Sequence, residues 1–248
     1  MNKISVIITN RTNYSKLKTV LFKLKKFNVK IEIVASSSIL LDKYGKAYKD
    51  LEKDGFKINF KIDSLLMNDS HEAMVNSIGL SMIQHSSYFA NSKPNLVLIV
   101  GDRFDTLAAA LSASIMNIPI AHIQGGETSG SIDDKVRDII TRISDLHFVA
   151  TDKSKKRLET IGIISSKIYN YGCPAVEYIS SLELGSKLDK NKLGRKLKSP
   201  LHIEINEKFF IILVHPDTTN SKDLSMDVLL SAISTYGTKS LIFYPNVD

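Results

Sequence analysis

The sequence predicts an α/β fold built on a doubly wound parallel sheet. Short apolar runs alternate with segments of helical periodicity from residue 4 to residue 170, as in repeated strand–helix units. The run Leu96–Val100 is apolar throughout, which is typical of a parallel strand covered by helices on both faces. Several runs also end in dense polar clusters, at the position where an open α/β sheet binds its ligands.

Each predicted strand is a short apolar run that ends at polar or turn-forming residues. The first run leads directly into Asn10 and Arg11, so it is too short for the apolar part of a signal peptide. The predicted strands of this first part of the chain span residues 4–9, 31–35, 56–62, 96–100, 120–123, 147–150 and 167–170.

The segments between the strands have the apolar spacing of amphipathic helices. In the longest, Val75, Ile78, Met82 and Phe89 share one face, which is predicted to pack on the core. The predicted helix at 133–143 has a predicted core face of Val136, Ile139, Ile140 and Ile143. The predicted helices span residues 15–27, 39–53, 70–91, 105–116, 133–143 and 153–160.

The amino-acid composition changes after residue 181, where the alternation of apolar runs and helical segments stops. Residues 182–208 are rich in lysine and are predicted to form a surface helix and linker after a first domain of residues 1–181. Residues 209–248 then begin a second domain, with strands at 209–214 and 241–244 and a helix at 223–234. Two strands and one helix are too few to close a core, so we expect this second domain to be incomplete.

The composition excludes several classes of protein. The formal net charge is +7, but the lysines lie on solvated helix faces without interleaved aromatic residues, so a nucleic-acid partner is not expected. The single cysteine, Cys173, excludes an internal disulfide and fits a reducing, cytoplasmic location. No run is long and apolar enough for a membrane span, and no histidine spacing indicates a metal site.

Two polar clusters follow the first and fourth predicted strands. After the first strand, Arg11 lies in a turn, Ser15 is a candidate helix cap, and Lys16 adds charge, which together suit an anion. After the fourth strand, Asp102 and Arg103 are well placed for a ligand. The alternative is structural: Asp105 caps the next helix while Asp102 pairs with Arg103.

A third cluster follows the fifth strand and contains a glycine pair, Gly125-Gly126, that would let backbone approach a ligand closely. A histidine, two candidate acid/base carboxylates and an arginine accompany it: His122, Glu127, Asp133 and Arg137. A lone histidine at a strand end is more often structural, and Asp133 with Arg137 could form a plain surface pair. Ser131 is a candidate cap of the next helix, with Asp134 as its partner in a capping box.

Two further candidates lie later in the chain. Cys173 has no histidine beside it in sequence, so a packed thiol is favoured over a nucleophile. His215 follows the first strand of the second domain, where it would face the first domain's site.

These motifs together resemble the hydrolysing UDP-N-acetylglucosamine 2-epimerases of sialic acid and related nonulosonic acid biosynthesis. The resemblance covers essentially the whole chain, although Asn13 stands where an acidic residue is expected. It rests on the motifs Arg11-x-x-Tyr14-Ser15-Lys16, Gly101-Asp102-Arg103, His122-x-x-Gly125-Gly126-Glu127, Ser129-Gly130-Ser131-Ile132-Asp133-Asp134 with Arg137, Gly172-Cys173-Pro174, His215-Pro216 and Pro245-Asn246-Val247-Asp248.

The resemblance implies a two-domain architecture like that of the GT-B glycosyltransferases, with Rossmann-like domains, an active site between them, and no cofactor. It implies that UDP-GlcNAc, or a related sugar such as UDP-diacetylbacillosamine, is converted with water to ManNAc or its analogue and UDP. By motif, Asp102, Glu127, Asp133 and His215 would be catalytic. The residues implied to bind substrate or UDP are Arg11, Ser15, Lys16, Arg103, His122 and Arg137.

The resemblance also implies a homodimer or homotetramer, and that Arg137 would orient Asp133. Relatives continue past the Pro-Asn-Val-Asp segment, so little activity is expected of the chain as given. Two other functions stay open: a non-hydrolysing epimerase that releases UDP-ManNAc, and an inactive binding or dimerising module.

Overall fold

The computed structural model describes residues 2–67, 70–182, 208–214 and 226–243. The chain divides into two compact units, Met1–Ser181 and Leu182–Asp248. The predicted surface helix and linker at 182–208 lie almost entirely outside the described residues.

The first unit is built on a seven-stranded parallel sheet with the order β3-β2-β1-β4-β5-β6-β7. The chain moves outward from β1 through β2 to β3, then returns to the other side of β1 and continues from β4 to β7. The predicted α/β class with a doubly wound parallel sheet is therefore confirmed. Its strands are β1 Asn2–Ile8, β2 Val29–Ser36, β3 Ile58–Ile62, β4 Leu96–Val100, β5 Ile120–Ile123, β6 Leu146–Val149 and β7 Ile168–Asn170.

Helices follow the strands and cover both faces of the sheet. Along β1, Val6 and Ile8 belong to one apolar cluster while Ile7 belongs to the other, so the strand is buried on both sides. This explains the continuous apolar runs in the sequence. The helices of the first unit are α1 Arg11–Leu24, α2 Tyr48–Lys53, α3 His71–Ser92, α4 Phe104–Ile115, α5 Ile132–Arg142, α6 Asp152–Thr160 and α7 Pro174–Ser180.

Two predicted helices differ from the observed ones. The first begins at Arg11 and not at Ser15, because the Asn10 side chain accepts a hydrogen bond from the Asn13 backbone N–H and caps it. The helix predicted at 39–53 is two short 3₁₀ turns followed by α2. Gly45 interrupts it with φ at +84°, a conformation that ends a helix.

The predicted face of α3 is confirmed at Phe89, which is buried, but is wrong at Val75. Val75 is 65% exposed, while the buried side of the helix contains small and polar residues and two aromatic ones. Ser112 of α4 donates to the Met82 carbonyl at 3.4 Å, so α4 packs closely where the α3 side chains are small. The buried residues of α3 are Ala73, Ser77, Ser81, His85, Tyr88 and Phe89. In α5, Val136 and Ile140 are buried as predicted, but Ile139 is 44% exposed.

The spacing of apolar residues does not predict the shortest helices, because they are too short to show a full period. Helix α7 was not predicted, although Pro174 at its first position suits a helix start. In the second unit, β8 Phe210–Leu213 and β9 Ser240–Phe243 are parallel. The helix α8 Met226–Thr235 lies between them in sequence.

A polar network closes the amino end of the sheet around Glu32, which is 8% exposed. Its carboxylate accepts from Tyr88 Oη at 2.9 Å and from Ser92 Oγ, and pairs with Lys30 Nζ at 2.7 Å. Burial acts to raise the pKa of Glu32, but the hydrogen bonds from Lys30, Ser92 and Tyr88 outweigh it and lower the pKa to about 2. The network thus fastens α3 to β2 through an ionised group.

The loop after β5 is pressed against α6. Gly126 has φ at +80°, and a Cβ there would lie 2.4 Å from Leu158 Cδ1 and 2.7 Å from the Ser154 carbonyl oxygen. A Cβ at Gly125 would lie 2.8 Å from Thr141 Oγ1. The glycine pair was predicted to admit a ligand. The close approach that the structure shows is to two of the protein's own helices, α5 and α6.

We expect Glu32→Gln to destabilise the chain by about 1–3 kcal/mol at pH 7, because it leaves buried donors without a charged acceptor. Since the pKa of Glu32 is depressed when folded, its stabilisation is present above its ordinary pKa and is lost as pH falls towards about 2. Urea unfolding across this pH range should show a smaller acid-dependent loss in Glu32→Gln. The exposed Glu52→Gln is the control, and equal curves for both variants would contradict the assignment.

We expect Gly126→Ala to be far more damaging than Gly130→Ala. Both glycines have positive φ, at +80° and +83°, so each alanine carries a backbone cost of about 1 kcal/mol. Only at Gly126 would the Cβ also collide with neighbours, while nothing lies within 4 Å at Gly130. Chemical denaturation should show an additional loss of at least about 2 kcal/mol in Gly126→Ala. Equal losses in the two variants would mean that the loop does not sit tightly on α6.

Candidate functional site

The strand order reverses between β1 and β4, so their carboxyl ends form the edge where an open α/β sheet binds ligands. Asn13 joins the two strand ends. Its Oδ1 accepts from the Thr9 backbone N–H at 3.2 Å and from Thr9 Oγ1 at 2.7 Å, and its Nδ2 donates to the Val100 carbonyl at 3.4 Å. A carboxylate at this position has no hydrogen to donate to that carbonyl, which accounts for an amide here.

The candidate anion-binding residues Arg11, Ser15 and Lys16 lie in the first turns of α1. Arg11 is the first helical residue and is exposed. The expected capping role of Ser15 is wrong, because its hydroxyl lies inside the helix and donates to the Thr12 carbonyl at 2.8 Å. The cap belongs to Asn10, and the charge of Arg11 lies at the helix N-terminus.

Arg137 is the centre of the site, with a side chain only 3% exposed. Its guanidinium donates to Asp102 at the end of β4, to Asp134 on its own helix, and to the Glu127 carbonyl at 2.7 Å. Burial acts to lower the pKa of Arg137, but the Asp102 and Asp134 carboxylates outweigh it and raise the pKa above its ordinary value. One buried cation therefore ties the β4 end, the glycine-rich loop and α5 together.

The sequence assigned Asp134 only to a helix cap, but it has a larger role. It accepts from the backbone N–H groups of Ser129 and Gly130, at 2.7 and 2.8 Å, as well as from Arg137. Burial acts to raise the pKa of Asp134, but the hydrogen bonds from Ser129 and Gly130 outweigh it and hold the pKa below its usual range. Its carboxylate therefore shapes the loop ahead of α5.

The neighbouring Asp133 has different contacts. Ser131 caps α5 by accepting from the Asp133 backbone N–H at 3.2 Å, and the Ser131 hydroxyl donates to Asp133 Oδ2 at 3.1 Å. Ser131 as the cap is confirmed. The expected orienting contact from Arg137 is observed on Asp134 and Asp102.

The structural alternative for the cluster after the fourth strand, in which Asp105 caps the next helix and Asp102 pairs with Arg103, is not what is observed. Helix α4 has Arg103 at its N-cap position and no side-chain cap, so Asp105 does not cap it. Asp105 is 4% exposed and pairs with Arg103, with Nε 3.4 Å from Oδ2. Asp102 is 28% exposed in its side chain and pairs with Arg137. The Asp105 carboxylate thus pairs with Arg103, while Asp102, at the carboxyl end of β4, stays partly exposed.

His122 is completely buried. Its Nε2 donates to the Gly101 carbonyl at 2.7 Å, and Thr141 Oγ1 lies 3.3 Å from Nδ1. A carbonyl can only accept, so Nε2 carries the hydrogen. Burial lowers the pKa of His122 to about 4, which keeps the ring neutral at pH 7. The ring supports the backbone immediately before Asp102.

Two residues at this edge were missed by sequence reasoning. Arg157 of α6 donates to the Glu127 carbonyl at 2.6 Å and to Asp138 Oδ2 at 2.8 Å. Gln124, 6% exposed with φ at +65°, donates to Cys173 Sγ at 3.2 Å. Both contacts join residues far apart in sequence, and neither leaves a local signal. Cys173 is half-buried and packs against Gln124.

Three observations bound the chemistry of this edge. Within the described residues, no group of three or more histidine, cysteine, aspartate or glutamate side chains could hold a metal ion. Among the described helices, none is long and apolar enough to cross a membrane. The candidate His215 and the Pro245–Asp248 motif lie outside the described residues. The edge offers carboxylates beside fixed cations, an arrangement suited to proton transfer.

Comparison with known proteins identifies relatives with nucleotide-sugar chemistry. A UDP-diacetylbacillosamine 2-epimerase (hydrolysing, GDP/UDP) of Campylobacter jejuni is 32% identical over 245 residues, covering 97% of this chain and 62% of the relative. A hydrolysing UDP-diacetylbacillosamine 2-epimerase of Legionella pneumophila is 28% identical, and the alignment covers all of this chain and 65% of the relative. The chain thus spans less than two thirds of these relatives.

A solved structure has the same fold. The UDP-GlcNAc 2-epimerase of Neisseria meningitidis, crystallised with UDP-GlcNAc, superposes with a TM-score of 0.80 at 20% identity, covering all of this chain and 67% of that one. The sequence model of the family described as UDP-N-acetylglucosamine 2-epimerase matches residues 23–247. This match begins at the end of α1 and includes β2 to β7 with the carboxylates that follow β4 and β5, and the chain belongs to the UDP-N-acetylglucosamine 2-epimerase family.

Proposed function

We propose that this chain carries the catalytic edge of a hydrolysing UDP-sugar 2-epimerase. The reaction is UDP-GlcNAc, or a related UDP-2-acetamido sugar, plus water to ManNAc, or its analogue, plus UDP. The observation that carries the proposal is Arg137, which joins Asp102 to Asp134 and to the loop that presents Glu127. Family membership supplies the reaction class.

The proposed chemistry needs carboxylates that exchange protons with carbon and oxygen atoms of the sugar. One carboxylate removes the C2 proton, the C1–O bond to UDP breaks in an anti elimination, and a 2-acetamidoglucal results. Water then adds across the double bond and places its hydroxyl at C1. A proton returns to C2 on the face opposite to the one from which the first proton was removed, so the configuration at C2 is inverted. Asp102, Glu127 and Asp133 are our candidates for these transfers, each contributing about 10²–10⁴-fold.

The departing diphosphate needs cations. Arg11 and Lys16 on α1 and Arg103 after β4 are our candidates on this unit, with Ser15 on the same helix. His215 stays a candidate for contact with the leaving group. His122 positions the backbone next to Asp102, because its ring is hydrogen-bonded to the Gly101 carbonyl. Cations placed where negative charge develops stabilise the transition state.

The substrate class follows the relatives in part. The Campylobacter and Legionella relatives are named for UDP-diacetylbacillosamine, and a Neisseria relative at 25% identity is named for UDP-GlcNAc. We therefore propose a UDP-2-acetamido sugar, with UDP-diacetylbacillosamine as the first to test. The single Cys173 fits a cytoplasmic enzyme.

Product analysis tests the proposed function. The 248-residue chain, and the same chain fused to the segment that follows the matched region in the Campylobacter relative, are incubated with each UDP-sugar in D₂O. We expect UDP and a free sugar with inverted C2 and deuterium at C2. An intact UDP-sugar epimer would identify a non-hydrolysing enzyme, and no turnover by either chain would contradict the proposal.

Asp102→Asn and Asp133→Asn should each lower kcat of the active form by at least about 100-fold, because a carboxamide cannot take up the proton. The substitution is nearly isosteric. Asp63→Asn, at an exposed position after β3, is the matched control and should keep normal kcat. Normal turnover in both site variants would remove these residues from the mechanism.

We also propose that the protein self-associates through α3. No charged residue occurs between positions 73 and 92, and its solvent face exposes Val75 at 65%, Leu80 at 42% and Ile83 at 66%. On the end of α4, Ile115 is 72% exposed. An uncharged apolar helix face fits a second copy of itself, related by a two-fold axis.

Ile83→Glu should therefore shift the chain to a smaller species in sedimentation velocity, because it buries a charge in the interface. Ile164→Glu, at a residue 63% exposed outside α3 and α4, is the matched control and should leave the sedimentation coefficient unchanged. An unaltered distribution in Ile83→Glu would place any interface elsewhere.

A further inference from the structure

Arg157 does not belong to the solvated lysine face that surrounds it in sequence. Its neighbour Lys156 is exposed, but the Arg157 side chain is 28% exposed and turns towards the loop after β5. Its two terminal nitrogens contact different elements, Nη1 at the Glu127 carbonyl and Nη2 at Asp138 on α5. A rigid guanidinium fork that spans two elements fixes their relative position.

The Glu127 carbonyl accepts two guanidinium groups. Arg137 Nη1 lies at 2.7 Å and Arg157 Nη1 at 2.6 Å from the same oxygen. A carbonyl has two lone pairs, so both are used. The charges of the two arginines are balanced by three carboxylates in contact with them: Asp102, Asp134 and Asp138.

The loop leaves the sheet after Gln124, whose backbone N–H donates to the Phe148 carbonyl at 2.8 Å. Gln124 and Gly126 have positive φ, at +65° and +80°. On the α6 side, Gly126 packs so closely that a Cβ there would lie 2.7 Å from the Ser154 carbonyl oxygen and 2.4 Å from Leu158 Cδ1. Arg157 lies on the same part of α6 and adds the charged contact.

We propose that Arg157 is a positioning residue for the epimerase reaction. It holds the main chain of Glu127 against α6 and, through Asp138, against α5, which carries Asp133 in its first turn. The geometry of the carboxylates at the edge then depends on a residue that does not touch the substrate. This role rests on the proposed function.

The test compares Arg157→Met, Arg157→Lys and the exposed control Lys156→Met, in the form that is active in product analysis. We expect kcat to fall about 10-fold or more in Arg157→Met with KM within about twofold, because small misplacements of reacting groups are costly in rate. Arg157→Lys keeps one contact of the two and should lie between. Added guanidinium ion should restore part of the kcat of Arg157→Met only.

Hydrogen exchange supplies a readout that needs no activity. In the 248-residue chain, amides at residues 126–131 should exchange faster in Arg157→Met, while those of β4 and β5 keep their protection. Unchanged exchange in the loop, or kcat within about twofold of wild type, would overturn the proposal. A third outcome would also overturn the proposal. If kcat falls, amides across the whole sheet lose their protection, and guanidinium ion restores no activity, Arg157 is a purely structural residue.

The proposed function can fail separately. If the wild-type chain and its fusion release no UDP, the reaction is wrong and the role of Arg157 in it is wrong as well. If both turn over but Arg157→Met keeps normal kcat, the reaction stands and only the positioning role is lost.

Discussion

The buried charge of Arg137 is the constraint on which the rest of the site depends. A guanidinium that is 3% exposed is costly unless it is paired and hydrogen-bonded, and removing one partner leaves an uncompensated charge. Its partners are Asp102, Asp134 and the Glu127 carbonyl, which come from three segments. The charge can be accommodated only when all three segments are in place. Assembly of the β4 end, the loop and α5 is therefore a condition of folding, and the carboxylates reach the edge of the sheet already arranged.

Uncharged side chains around Arg137 also hold the segments of the site in position. Asn13 connects the ends of β1 and β4 with one amide, and His122 holds the Gly101 carbonyl as a neutral ring. Both side chains are buried, where a neutral group costs less than a charge. The network near Glu32 lies at the opposite end of the sheet and stabilises α3 without reaching this edge. The polar residues thus fall into two groups, one that supports the fold and one that supports the site.

Sequence reasoning predicted the strands well and the contacts poorly, for a physical reason. Apolar runs mark the central strands β1, β4 and β5 because burial on both faces leaves a local pattern. The face of α3 was predicted only in part: Phe89 is buried, but packing against α4 also selects small and polar residues such as Ser77 and Ser81, which carry no apolar period. Asp102 and Asp133 could be selected because they follow strand ends or begin a helix. Arg157 could not, because its partner is a carbonyl 30 residues away in sequence.

The carboxylates of Asp134 and Asp102 both pair with Arg137, but they are held in different ways. Asp134 is held by Arg137 and by two backbone N–H groups, so its oxygens are committed and it stays ionised. A group held in this way cannot exchange protons readily near pH 7, because protonation would break several hydrogen bonds. Asp102 is also bound by Arg137, but through Oδ2, and a carboxylate has a second oxygen to present to a ligand. Its side chain keeps 28% of its exposure, so the oxygen that a sugar proton would meet can lie on the open side of a rigid, charged support.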